Sequence, residues 1–206
     1  KALRKLAEDA KKRNDENNDL DWDIHPEYID TVNIVVQDPN NGEILAMVGK
    51  HINEEGEVED FDYGTFAVTY VPGSSVKMGT VVTGYQNDVL EPGEFIVDEP
   101  LVFQDGTKKT SFFNRNDSIA VDDQEAIMVS SNIYMMKIAL KLLGLEYEKG
   151  MPLPIDIADN SYKLRNGLNQ FGLGVSTGID LPNEETGIAP ALTNNPGNYL
   201  DLAIGQ

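Results

Sequence analysis

The sequence predicts an α+β fold. Two β-rich runs separated by a strong turn signal stand early in the chain, helical periodicities cluster after them, and the two kinds of segment do not alternate. A chain of 206 residues, 40% apolar and 25% charged, has the length and composition to bury a core, so bulk disorder is not expected.

The first element is a helix. Leu3, Leu6, Ala7 and Ala10 form one narrow apolar stripe before the chain dissolves into the charged run KKRNDENND. Val32 to Gln37 and Glu43 to Val48 follow as strands, joined by Asp38-Pro39-Asn40-Asn41-Gly42, which supplies the dihedrals a hairpin loop needs. The run NEEGEVEDFDYG reads as an exposed acidic loop. In VPGSSVKMGTVVTGY, Met78, Val81, Val82 and Tyr85 fall at i, i+3, i+4 and i+7, predicting a helix with that face buried. Leu90 to Val121 is mixed, with short strand-like pieces. Asp122 and Glu125 make a capping-box pattern for a helix through Val129. A second helix starts at Ile133, with Ile133, Met136, Leu140 and Leu143 on one side and Gly144 as its terminator. From Asn166 the chain turns Gly-rich and then Pro-rich, a pattern of loops.

Composition excludes several functions. A net charge of −19 repels nucleic acid and anionic lipid, and no basic stripe offsets it, so no nucleic-acid partner is expected. The absence of cysteine removes disulfides, thiolate zinc sites and cysteine catalysis. His25 and His51 lack metal-ligand spacing, and Glu54-Glu55 and Asp122-Asp123 lack the spaced oxygens of a calcium loop, so neither a metal nor a cofactor is expected. FGLGVSTG has no lysine after it as in a P-loop. These residues contain neither a signal peptide nor an apolar run of membrane-spanning length.

Two places can carry chemistry. Ser74 and Lys77 lie one turn apart on one helical face. A serine hydroxyl becomes a good nucleophile when a nearby base takes its proton, and a lysine serves as that base if burial keeps it neutral. A serine in the first turn of a helix also sits where backbone N–H groups and the helix dipole favour an oxyanion. The same residues also read as a helix cap beside a solvated lysine. Ser130-Ser131-Asn132 lies between two helices: Ser130 can relay a proton to a leaving amine and Asn132 can bond a substrate amide and a lysine, or Ser131 or Asn132 simply caps the second helix.

VPGSSVK, SSNIYMMKIA and FGLGVSTGIDLPNEETG, in this order and at these separations, resemble the penicillin-binding protein transpeptidase domain. The hairpin IVVQDPNNGEILAMVG resembles the strand pair before that family's active serine, and PGNYLDLAIGQ its segment after the Gly-rich stretch. The resemblance runs from about Val32 to Gln206 and is nearest to class B, monofunctional enzymes of Gram-positive envelopes. It implies a penicillin-binding, serine β-lactamase-like fold, with an incomplete antiparallel sheet and a helical cluster carrying the active serine. Residues 1–31 are then a charged helix and loop leading into the leading part of a transpeptidase domain, 32–206.

The implied roles are Ser74 as acyl-accepting nucleophile, Lys77 as its proton acceptor, Ser130 as proton shuttle and Asn132 as ligand of substrate and lysine. The implied reaction crosslinks peptidoglycan stem peptides by D,D-transpeptidation, with β-lactams acylating the same serine, outside the cytoplasm on a membrane anchor upstream of this chain. A D-alanyl carboxypeptidase or β-lactamase-like hydrolase, and a non-catalytic penicillin-binding sensor or scaffold, are the alternatives. Val76 and Met78 stand where the family often has phenylalanine and proline. The family's third motif, Lys-Thr-Gly or Lys-Ser-Gly, is missing, and Lys109-Thr110-Ser111 does not replace it, because it precedes Ser130 and ends without glycine. The chain is therefore expected to need the remainder of the domain, whether or not as a separate chain, to expose a bare sheet edge, and to be inactive or impaired alone.

Overall fold

The computed structural model describes residues 4–6, 8, 9, 12, 30–153, 161–188 and 196–206, which form two compact units. One comprises the described residues up to Thr69 with Asp180–Glu185, and the other runs over Tyr70–Ile179 and Thr186–Gln206.

In the first unit, residues 4–6, 8, 9 and 12 are helical, although Leu6 is exposed rather than packed. Leu3, Ala7, Ala10 and most of the charged run after them lie outside the described residues. The hairpin forms where expected. Strand β1 (Thr31–Gln37) pairs antiparallel with β2 (Ile44–Ile52), from Thr31 opposite His51 to Gln37 opposite Ile44. Its loop closes on Asp38, whose carbonyl accepts from the Gly42 N–H and whose carboxylate accepts from the Asn40 N–H, each at 2.8 Å. Gly42 sits at φ 79°, a left-handed value that glycine takes without a Cβ clash.

The acidic run is not all loop: it holds a third strand, β3 (Val58–Asp60), paired antiparallel with β2. Its charges are met across the strands, Lys50 pairing with Asp60 opposite and Asn53 donating to Glu59 at 2.7 Å. With Val58 its one apolar residue, β3 carries no alternation that a sequence pattern could reveal. Among the described residues the sheet order is β1-β2-β3, so β1 is an open edge on which Ile34, Val35 and Val36 stay about half exposed.

The second unit is mainly helical: α1 (Lys77–Gln86), α2 (Asp123–Met128), α3 (Asn132–Leu142), α4 (Ser161–Asn169) and α5 (Pro196–Leu202). Between α1 and α2, the mixed stretch makes two short antiparallel pairs, β4 (Ile96–Asp98) with β7 (Ile119–Val121) and β5 (Leu101–Val102) with β6 (Lys108–Lys109). Helix α3 is the centre. Ile133, Tyr134, Met135, Met136, Ile138, Ala139, Leu140 and Leu142 are all buried, and a helix apolar on nearly every side belongs inside a domain. Helices α1, α4 and α5 and strand β4 pack on it. The capping box of α2 is complete, with the Asp122 carboxylate accepting from Glu125 N–H at 2.8 Å and the Glu125 carboxylate accepting from Asp122 N–H at 3.2 Å.

Helix α1 departs from its expected face. Val81 is buried, but Met78 is 65% exposed, and the buried positions are Lys77, Gly79, Thr80, Val81, Thr83 and Gly84. Small residues win this face because two helices approach it closely: Gly84 faces Ile138 of α3, and Thr83 meets Gly167 of α4. Apolar periodicity cannot register a face built from glycine and threonine. Helices α4 and α5 were not legible as helices, since α4 has Leu164 and Leu168 as its apolar anchors around Gly167, and α5 opens with Pro196 at its first position.

A Cβ at Gly167 would land inside the van der Waals radii of the Thr83 side chain, whose hydroxyl already donates to the Gly79 carbonyl at 2.7 Å. Gly167→Ala is expected to destabilise the protein by about 1–3 kcal/mol, an overpacking cost, in denaturant unfolding. Part of that loss should disappear in a Thr83→Ala background, which removes the Thr83 hydroxyl and methyl but keeps the Cβ at 2.7 Å, and a loss unchanged there would show that the clash is not with those two groups.

Candidate active site

Pro72 and Gly73 lead the chain into a 3-10 turn, Gly73–Val76, that runs directly into α1. Ser74 lies exposed on this turn, and its carbonyl accepts from the Lys77 N–H. Among the described residues the Ser74 hydroxyl makes no hydrogen bond, which leaves it open to an incoming molecule. The turn is braced from behind by the segment after α5. The Gly73 N–H donates to the Gly205 carbonyl at 3.2 Å, and Thr80 donates its hydroxyl proton to the Ala203 carbonyl at 2.8 Å. Gly205, at φ 78°, lies so close to the Gly73 carbonyl that a Cβ there would strike it.

Lys77 is the buried cation of the site, 2% exposed. Its Nζ donates to the Ser130 carbonyl at 2.7 Å, to Ser130 Oγ at 2.9 Å and to Asn132 Oδ1 at 2.7 Å. An ammonium has three protons and no acceptor, so this set matches its full donor capacity. Burial pushes the amine down to about 8, and the negative charge of Asp98 works in the opposite direction. A lysine so placed is neutral in a substantial fraction of molecules just above neutral pH and can then accept a proton.

Ser130 reaches Lys77 through the way α2 ends. Ser130 N–H donates to the Ile127 carbonyl at 3.1 Å and Ser131 N–H to the Ala126 carbonyl at 2.8 Å, the paired bonds of a Schellman motif. The left-handed residue of that motif is usually glycine. Here it is Ser130, at φ 55°. Ser131 is the N-cap of α3, its hydroxyl oxygen accepting from the Tyr134 N–H at 2.9 Å. Because Ser131 takes the cap, Asn132 is the first residue of the helix and its amide is free to face Lys77. The structure thus brings Lys77, Ser130 and Asn132 together by direct hydrogen bonds and sets Ser74 one turn before Lys77.

Sequence reasoning missed the residues behind this cluster. Lys109-Thr110-Ser111 is no third motif, yet it supports the site: the Thr110 carbonyl accepts from Asn132 Nδ2 at 3.2 Å, and Ser111 Oγ accepts from Asn132 N–H at 2.9 Å. Lys109 ion-pairs with Asp201 of α5 at 2.6 Å. Asp98, at the end of β4, bonds Ser111 and Ser131. No local pattern marks these positions, because their partners are distant in sequence.

Residues 32–206 match the family model of the penicillin-binding protein transpeptidase domain. Penicillin-binding protein H of Bacillus subtilis is 40% identical over 179 residues, which cover 86% of this chain and 25% of that protein. Penicillin-binding protein 2B of Streptococcus pneumoniae is 35% identical over 182 residues, 87% of this chain and 27% of that one. Among solved structures, penicillin-binding protein 2B from Streptococcus pneumoniae strain 5204 is similar over 100% of this chain and 33% of its own, with a TM-score of 0.78 at 30% identity. The chain spans about a quarter of the length of these curated relatives.

The left-handed backbone at Ser130 yields a test independent of activity. Ser130→Gly and Ser130→Ala both remove the hydroxyl that meets Lys77, but only glycine relieves the backbone. The glycine variant is expected to be more stable than the alanine variant by about 1 kcal/mol in denaturant unfolding. Equal stabilities would mean that position 130 does not hold this conformation in solution.

Proposed function

The chain belongs to the penicillin-binding protein transpeptidase family and shares its α+β fold, and from that premise we propose that it carries the acylating centre of a peptidoglycan D,D-transpeptidase. The Lys77 amine carries this reading: it is buried, pushed down to about 8, and held among Ser130 and Asn132 one turn from an exposed, unbonded serine hydroxyl. The roles are Ser74 as nucleophile, Lys77 as general base, Ser130 as proton shuttle and Asn132 as ligand of both the lysine and the substrate.

In this mechanism neutral Lys77 accepts the Ser74 proton as Oγ attacks the carbonyl carbon of the terminal D-alanyl-D-alanine amide of a stem peptide. The tetrahedral intermediate collapses with cleavage of the C–N bond. The proton travels from Lys77 Nζ through Ser130 Oγ, 2.9 Å away, to the leaving amine, and D-alanine departs. An amine of a second stem peptide then attacks the acyl-enzyme, giving its proton back along the same path, and the crosslink forms as Ser74 is released. A β-lactam is a strained amide and acylates the same hydroxyl. The corresponding setting is the outer face of a membrane to which the protein is anchored, with residues 1–31 as a charged lead-in to 32–206.

The full-length protein carrying this chain, mixed with benzylpenicillin, is expected to gain the mass of one drug molecule, and Ser74→Ala none. Lys77→Met should slow adduct formation by about a hundredfold or more, as loss of a general base does. A folded protein that binds the drug reversibly without a mass change would favour a sensor or scaffold, and an adduct surviving in Ser74→Ala would exclude Ser74 as nucleophile.

A further inference from the structure

Asp98 is a carboxylate shut away from solvent, 0% exposed at the end of β4. A carboxylate is tolerated there only where hydrogen bonds and charge compensate for lost hydration. Its Oδ2 accepts from Ser111 Oγ and Ser131 Oγ, each at 2.5 Å, and its Oδ1 accepts from Asn114 Nδ2 at 3.0 Å. Asn114 Nδ2 also donates to the Asp98 carbonyl at 2.8 Å, fixing the strand end that carries the side chain.

An ionised carboxylate only accepts, so both serines turn their protons toward it and keep their lone pairs for other donors. Those donors are the first N–H groups of α3, which a helix cannot satisfy within itself. Ser111 takes the N–H of Asn132 at 2.9 Å and of Ile133 at 3.1 Å, and Ser131 takes that of Tyr134 at 2.9 Å. The start of α3, which presents Asn132 to Lys77 and follows directly on Ser130, is therefore hung from Asp98 through two hydroxyls. The buried negative charge also stands at the positive end of the α3 dipole.

We propose that Asp98 is a positioning residue for the acyl transfer: its carboxylate locks Ser111 and Ser131 in the orientation that holds Asn132 and Ser130 against Lys77. This rests on the function proposed above. Lys77 faces Ser130 and Asn132 at the start of α3, and Asp98 acts on it from β4. On the other packed elements Lys137 pairs with Glu99, Lys141 with Glu94, Lys109 with Asp201, and Asp123 with Tyr85, while Asp122 and Glu125 close the capping box of α2 and α4 adds the partly buried Lys163 and Arg165. The negative charge of Asp98 thus opposes the effect of burial on the Lys77 amine.

The test is the pH dependence of covalent acylation by a fluorescent penicillin in the full-length protein, compared for wild type, Asp98→Asn, Asp98→Glu and Ser111→Ala. Asp98→Asn removes the charge, so Lys77 loses its proton at lower pH and the rising limb of the profile should move down by about one pH unit, with the plateau rate lower by about tenfold or more. Asp98→Glu and Ser111→Ala keep the charge and disturb the cradle, so both should lose rate while the limb stays in place. An Asp98→Asn limb at the wild-type position, or a Ser111→Ala variant as fast as wild type, would overturn the proposal. The second criterion still applies if Asp98→Asn does not fold. Wild type that fails to acylate at Ser74 would instead refute the transpeptidase reading itself.

Discussion

A buried ammonium with three fitted acceptors organises the second unit. Lys77 is taken from water at the start of α1, and a cation in that position needs full compensation or it loses its proton. Two of its acceptors come from Ser130, just past the end of α2, and the third from Asn132, which begins α3. The amine therefore ties together the junction between those helices. Behind it, α5 and the residues after it brace the Ser74 turn, and β6 ties back to α5 through Lys109 and Asp201.

The site departs from stability rules at several points that lie together. Serine occupies a left-handed position that suits glycine, a carboxylate is fully buried, and a helix face carries glycine and threonine where leucine or valine would bury more apolar surface. Local deviations of this kind persist where a particular atom must be held in a particular place. The Ser130 backbone puts both its carbonyl and its hydroxyl on Lys77, and the small residues of α1 let α3 and α4 approach that helix closely at Gly84 and Thr83.

Features encoded within a few residues were legible in the sequence. The Asp38 to Gly42 loop, the Asp122 and Glu125 capping box and the Gly144 terminator each form as their residue types require. Ser74, Lys77, Ser130 and Asn132 could be named from short spacings and a family resemblance, and the structure joins the last three in one cluster. What was illegible depends on residues far apart in the chain. The α1 face was misjudged because Lys77, Thr80 and Thr83 are buried by tertiary partners, which a hydrophobic period does not see. Asp98, Ser111 and Asn114 sit in a stretch without helical or strand periodicity, and their meaning comes only from Ser131 and Asn132, which follow later in the chain.

The role proposed for the buried Lys77 amine is that of the base that activates Ser74. The most direct measurement is to titrate that amine by NMR in lysine-labelled full-length protein and to overlay the pH profile of penicillin acylation. The amine and the rising limb of the acylation rate are expected to share a midpoint near 8. A Lys77 that titrates like a solvated lysine, at about 10.4, or an acylation rate that does not follow its titration, would contradict that role.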